Sequence, residues 1–437
     1  MKKKACAVLL AAAVATASLA AACGSPADSS AGNGKDSEGS AESLTVWCWD
    51  PAFNLNAMQK AEEIYKKDHP EFELNIVETP WNDVQTKLTT AVSSGKLDSL
   101  PDILLMQDNA FQKNVLSYPD AFLDLTGSSI DFSKFAEAKK EYSMVDGKNY
   151  GVPFDNGAVI GCYRTDILKD AGFTIDDFTD ITWEEYIALG KDVLAKTGKP
   201  LLSCIGSESD VIVMILQSAG SSLFDEAGNP YIAKNETVKA TVEVYKELVE
   251  SGVMVEVNDY DQYIGSMNNE TVAGTINGCW IMSAIQTAED QSGKWAVTNM
   301  PRLSGTDSAT NYSSNGGSSW AVCADSSKAD LAADFLGSTF GASVEFWENV
   351  LPSGALSTYL PAAESSKYAE PSEFFSGEPV FKKITDYASK IPSIHTGVYY
   401  YEARDAVATA IRNVIGGADI QAELQTAEDT VNFAMGR

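Results

Sequence analysis

Over residues 44–49 apolar side chains recur at every second position, with Leu44, Val46 and Cys48 on one face and Trp47 and Trp49 on the other, which predicts a strand. Leu55, Met58, Ala61 and Tyr65 then follow helical spacing, residues 71–77 return to strand, and Val84, Leu88, Ala91 and Val92 mark a second helix that Gly95 stops. Residues 103–106 are apolar without interruption, the pattern of a strand buried on both faces, and Gln107, Asp108 and Asn109 follow at once. This alternation up to Asp155 predicts one α/β unit.

The stretch from Tyr150 to Gly172, YGVPFDNGAVIGCYRTDILKDAG, reads as the pivot of the chain. Pro153 cannot donate to a central ladder, and Asp155, Asn156 and Gly157 follow it, so a strand leaves one packed unit here and enters another. Ile160, Cys162 and Tyr163 predict a strand, and residues 164–172 a short helix ending on glycine. Beyond it, Thr182 and Glu185 form a T-x-x-E capping box that opens a helix with Trp183, Tyr186, Ile187, Val193 and Leu194 on its buried face. Helices follow over 211–219 and 238–249, a turn over 225–230 and a strand over 271–276.

Near the end, residues 329–340 and 344–350 predict helices, and Val407, Ile411, Val414 and Ile415 a buried stripe closed by Gly416 and Gly417. Ile420, Leu424, Ala427 and Val431 mark a last amphipathic helix. Tyr399, Tyr400 and Tyr401 precede the stripe; successive helical residues turn by about 100°, so the three cannot all face the core. Tyr399 or Tyr400 is expected to reach a cleft, with Arg404 and Asp405 a structural pair on the exposed side.

Charge narrows the partners. The 437-residue chain carries a formal charge of −29, which repels phosphate backbones and anionic lipid and excludes a nucleic-acid partner. Residues 1–22 have the shape of an export signal: Lys2, Lys3 and Lys4, an apolar run, then small residues up to Cys23. Residues 23–43 contain no aromatic or branched aliphatic side chain and predict a flexible tether of roughly 25 Å.

Of the seven cysteines, Cys48, Cys162, Cys204, Cys279 and Cys323 remain beyond the tether without a C-x-x-C, and they read as free buried thiols. His69 and His395 are the only histidines; no metal loop, nucleophile–base pair or Walker signature occurs, so no cofactor or metal is expected.

Candidate chemistry sits at strand ends. In open α/β sheets ligands lie beyond the carboxyl ends of strands, which singles out Asp108 and Asn109, with an ordinary Asx turn as the plain alternative. Asp155 and Asn156 lie at the pivot. Trp49 and Trp280 each follow a strand; Gly278 lets the backbone come close beside Trp280, and a flat side chain there can lie under a ligand ring or else belong to the core. Trp, Tyr, Asp and Asn suit neutral polyols, because rings cover C–H faces while side-chain oxygens fork hydrogen bonds to hydroxyls. Asp108 and Asp155 would also suit a glycoside hydrolase.

The order VPFDNG, CYRTDILKDAG, ITWEEY, TVAGTINGCWIM, NMPRLSG, NGGSSWAV and YYYEARDAV resembles the sugar-binding members of the extracellular solute-binding proteins of ABC importers, from about Leu44 to the end. The resemblance implies a two-lobed periplasmic-binding-protein-like α/β fold with a hinge and an interlobe cleft. Its lobes would be 44–155 plus about 318–360, and 156–317 plus about 361–437. It also implies capture of a carbohydrate, an oligosaccharide in the fuller form, by a monomer that delivers it to membrane permease subunits. Trp280 becomes a sugar platform, and NGGSSWAV a crossing in which Gly316 and Gly317 flex and Trp320 faces the cleft. Ala20, Ala21, Ala22 and Cys23 resemble a lipobox, so Cys23 would be diacylated and hold the protein on the outer face of the membrane through lipid alone; Leu19 stands one position further from the cysteine than the usual pattern has it.

Overall fold

The structure, a computed structural model, describes residues 42–437; the leader and the lipidation candidate Cys23 lie outside the described residues. Twelve strands occur among the described residues. The first six are β1 (Ser43–Cys48), β2 (Glu73–Glu78), β3 (Ile103–Gln107), β4 (Met144–Val145), β5 (Lys148–Asn149) and β6 (Val152–Asp155). The others are β7 (Val159–Arg164), β8 (Leu202–Ile205), β9 (Met254–Val257), β10 (Gly274–Gly278), β11 (Trp295–Thr298) and β12 (Ser318–Val322).

The first lobe is built on a five-stranded sheet ordered β2-β1-β3-β12-β6. β1 is parallel to β2 and β3, and β12 runs antiparallel between β3 and β6. The unbroken apolar run of β3 has its reason here: Ile103 and Leu105 enter one core with Val46, Phe154 and Trp320, while Leu104 and Met106 enter the other with Phe111, Ala321 and Cys323. Pro153 lies in β6, an edge strand, where its missing N–H costs no ladder bond.

The second lobe holds an antiparallel sheet β10-β7-β11 and the parallel pair β8-β9. Val159 and Tyr163 of β7 pack against the helices Trp183–Thr197, Glu236–Glu250 and Tyr400–Ile415, and Ile160 and Cys162 against the opposite core. The capping box at Thr182 forms, its backbone N–H donating to Glu185 Oε2 at 2.8 Å, and Trp183 is buried as expected. All five cysteines in the described span are buried and unpaired.

Element ends shift from the sequence reading by a few residues. One shift matters: Asp108 belongs to no loop but opens the helix Asp108–Ser117 directly from β3. The expected helix over residues 164–172 shortens to Thr165–Asp170, with Gly172 at φ +85° just past its end.

Three passes join the lobes. Residues 156–158 link β6 to β7, and β12 brings the chain back to the first sheet. In the third pass Leu351 and Leu356 pack with the second lobe while Ala355, Tyr359 and Ala362 pack with the first. The first two passes touch: a Cβ on Gly157 would stand 2.2 Å from the Asn315 carbonyl oxygen, so only glycine fits that approach. Among the described residues no helix is long and apolar enough to cross a membrane.

Candidate functional site

Where the lobes face each other, ten residues form a closed circuit of contacts. Trp280 lies beside Tyr260, ring centroids 6.5 Å apart, and the Tyr260 hydroxyl donates to Asp50 Oδ2 at 3.0 Å. Asp50 follows Trp49 in the chain, both backbone N–H groups donating to Asn54 Oδ1 at 2.9 Å. Trp49 meets Trp81 at 5.5 Å, and Trp81 meets Tyr401 at 6.0 Å. The Arg404 guanidinium lies 5.7 Å from both the Tyr400 and Tyr401 rings and pairs with Asp210. Asn315 donates to Asp210 Oδ2 at 2.9 Å, and its carbonyl accepts from Trp280 Nε1 at 3.0 Å, which returns the circuit to its start.

Five of these positions stand at the ends of regular elements. Trp49 and Asp50 leave β1, Trp81 is the first residue of the helix Trp81–Ser94, Tyr400 opens Tyr400–Ile415 and Asp210 opens Asp210–Ser218. Trp280 directly precedes Ile281–Gln286, and the Gly278 backbone lies so close under its indole that a Cβ there would fall 2.3 Å from Nε1. Burial raises the Asp50 carboxyl above its ordinary range, while the hydrogen bond from Tyr260 pulls it down. Loss of hydration, with the charge of Asp210 beside it, lifts Glu208 to about 7.

Beside the circuit a second, sealed network occupies the pivot. Asp108 pairs with Lys139, both 4 % exposed, and accepts from Ser319 Oγ at 3.0 Å. Lys139 also donates to the Ser318 carbonyl at 2.9 Å, and Ser318 Oγ donates to Asp155, itself 3 % exposed. Burial pushes Asp108 up to about 6 and raises Asp155, with Lys139 opposing both shifts. Gly317 is squeezed beside this network at φ +98°, where a Cβ would stand 2.4 Å from Asp108 Oδ2.

The sequence-predicted residues therefore divide. Trp49, Trp280 and Tyr400 meet in the circuit, and Tyr399 lies next to it with Lys113 of the first lobe 5.2 Å from its ring. Asn109 is half-buried near the start of its helix, with Oδ1 enclosed and lacking a hydrogen-bond partner in the protein. The Asn156 carbonyl accepts from Cys279 Sγ at 3.3 Å, which ties the pivot to the residue before Trp280. Asp108 and Asp155 are brought together, but in this conformation neither carboxylate offers surface to a ligand.

Two expectations need correction. Trp320 does not face the cleft: it is fully buried in the first-lobe core, its ring 5.5 Å from Phe154 and from Phe340, because it shares a face of β12 with Val322. Arg404 is not paired with Asp405 on the exposed side; it turns inward to Asp210 and the tyrosine rings, leaving Asp405 exposed. Sequence reasoning missed Tyr260, Trp81, Asp210 and Lys139, whose partners are remote in the chain. A capping signal was legible for Tyr260, since Asp259 caps its helix by accepting from Gln262 N at 2.8 Å.

An α/β chain of two lobes, joined by three passes and lined with polar and aromatic side chains along one seam, defines a solute receptor of the clamshell class. The chain belongs to the bacterial extracellular solute-binding proteins, whose family profile matches residues 60–372. It is 36 % identical over 387 residues to a lactose-binding protein of Rhizobium radiobacter, covering 88 % of this chain and 91 % of that one. An arabinooligosaccharide-binding protein of Bacillus subtilis (strain 168) is 25 % identical over 399 residues, 88 % of each chain. In fold, the chain is similar to the ABC transporter associated binding protein from B. animalis subsp. lactis Bl-04, solved in complex with beta-1,6-galactobiose, with a TM-score of 0.77 at 19 % identity over 89 % of this chain and 96 % of that one.

Proposed function

We propose that the protein captures a neutral oligosaccharide between its lobes and presents it to the permease of an ABC importer. The observation that carries this reading is the closed circuit: six aromatic side chains, interrupted by carboxylate, amide and guanidinium groups, running through both lobes. Rings cover the apolar C–H faces of pyranoses, each adding about 0.5 to 1.5 kcal/mol beyond its area, and hydrogen bonds to charged groups contribute roughly 1.5 to 3 kcal/mol. A few of each reach micromolar affinity, about −8 kcal/mol. The ligands for which the relatives are named, lactose and arabinooligosaccharide, belong to the same chemical class.

Because the circuit has members in both lobes, a bound sugar favours the closed arrangement, with the passes at residues 156–158, 313–317 and 351–362 serving as the hinge. Diacylated Cys23 would tether the body to the outer face of the membrane. Asp108 and Asp155 act by holding the pivot rather than by touching sugar.

Calorimetric titration with lactose, β-1,6-galactobiose and arabinotriose tests the reading. At least one binds in the micromolar range, and Trp280→Ala lowers that affinity at least tenfold with the fold intact. The sugar also survives overnight incubation; its cleavage would support the glycoside hydrolase alternative built on Asp108 and Asp155, and no binding to any of the three would remove the carbohydrate reading.

A further inference from the structure

Resting on the carbohydrate reading of the seam, we infer that Asn315 is a positioning residue: it anchors the second pass to the ligand-facing side of the second lobe, so that contact with a sugar at Trp280 or at Arg404 is passed to the hinge. Asn315 is 5 % exposed and offers almost no surface of its own to a ligand. Its groups turn inward instead. The backbone N–H donates to the Gly157 carbonyl of the first pass at 2.7 Å, and the carbonyl accepts from Trp280 Nε1 at 3.0 Å. Nδ2 donates to Asp210 Oδ2 at 2.9 Å and to Asn277 Oδ1 at 2.8 Å.

Both hydrogens of the side-chain amide are therefore committed, which fixes its orientation. Asn277 cannot turn its own amide over, because Oδ1 also accepts from Gly278 N at 2.8 Å while Nδ2 donates to Tyr263 Oη at 2.9 Å. Asp210 in turn holds the Arg404 guanidinium against the Tyr400 and Tyr401 rings. One residue of a crossing segment thus ties together Trp280 and the Asp210–Arg404 pair, two parts of the seam that are remote in the chain. A side chain that only filled space would need neither bond.

The joint comes directly after it. From Gly317 onward the second pass belongs to the first lobe: the Gly317 carbonyl accepts from Asp108 N at 3.0 Å, and Ser318 begins β12 with its Oγ donating to Asp155. Up to Asn315 the pass is held to the second lobe, which leaves Gly316, at φ +91°, between the two holds as the residue free to take up a change of backbone angle. The bond from Asn315 to Gly157 makes the first pass follow the second. A sugar biases this hinge only as far as the groups it touches keep different contacts in the open and closed arrangements, and Asn315 is what keeps them in register with the joint.

Titration and stopped-flow mixing of the full chain, Asn315→Ala and Asn315→Ser with lactose and β-1,6-galactobiose test the inference. Alanine removes both side-chain bonds and leaves the backbone bonds to Gly157 and Trp280; serine retains one donor and decides the matter should the alanine variant fold poorly. Affinity is expected to fall about tenfold, as faster dissociation with association changed by less than about threefold. X-ray scattering at saturating sugar is expected to show a mixture of open and closed molecules where the unsubstituted protein is closed. Unchanged affinity in a folded variant marks a residue that only supports the fold and would overturn the inference, as would a weakened complex that is still fully closed. If the unsubstituted protein binds neither sugar, the carbohydrate reading falls, and the anchor is read without ligand: hydrogen exchange in Asn315→Ala is expected to quicken over residues 155–159 as well as 313–317, and quickening confined to 313–317 would overturn it.

Discussion

Lys139→Met is the substitution whose effect follows most directly from the geometry. The Lys139 ammonium is sealed between Asp108, the Ser318 carbonyl and the field of Asp155, and all three charged side chains are at most 4 % exposed. Methionine fills similar volume without charge, leaving two carboxylates in one buried site with Ser319 and Ser318 as their remaining side-chain donors. Breaking a buried pair from one side costs about 3 to 5 kcal/mol, and that loss is expected near pH 8. The pH dependence carries the sharper test. Asp108 already stands near 6 in the folded protein against 3.8 for the free side chain, so the folded state holds more protons between these values and stability falls as pH rises through them. Without the lysine the folded value climbs further, so the fall continues above pH 6 and the variant is much closer to the original at pH 5 than at pH 8. Urea unfolding followed by fluorescence at the two pH values reads both effects. A loss under about 1 kcal/mol at pH 8, or an equal loss at both, would refute the picture of an uncompensated carboxylate pair.

Other substitutions probe neighbouring contacts. Tyr260→Phe deletes the hydrogen bond to Asp50, worth about 1.5 to 3 kcal/mol where it forms, and is expected to weaken sugar binding tenfold or more by calorimetry; unchanged affinity would remove that bond from the closed state. Gly317→Ala forces a Cβ against Asp108 at φ +98°, a conformation that costs about 1 to 3 kcal/mol before the clash is counted, and should lower the thermal midpoint measurably. Cys23→Ser should move the protein from the membrane fraction to the medium, whereas retention in the membrane fraction would argue against a lipid anchor at that residue.

Much of the scaffold could be read from the chain because its signals are local. The buried run at residues 103–106, the proline that confines residues 152–155 to a sheet edge and the T-x-x-E before Trp183 each report their surroundings within a few residues. Trp280 was legible for the same reason, standing after a strand and a glycine. Pairings across the seam leave no such trace. Tyr260 finds Asp50 from 210 residues away and Arg404 finds Asp210 from 194, so nothing beside Arg404 tells it from a surface arginine next to an aspartate. Trp320 misled in the opposite sense: glycines and serines before it suggest an exposed crossing, yet alternation along β12 turns its ring inward. Asp108 and Asp155 have the residue type and the strand-end placement of ligands, and what the pattern could not show is the lysine already bound to them.

Hydrogen exchange read by mass spectrometry, with and without the tightest-binding sugar of the panel, addresses whether a ligand is held by both halves at once. Slowed exchange is predicted in three separate segments: residues 49–55 and 81–88 of the first lobe, and 399–405 of the second. Protection confined to a single lobe, or none at saturating sugar, would contradict a receptor that closes on carbohydrate.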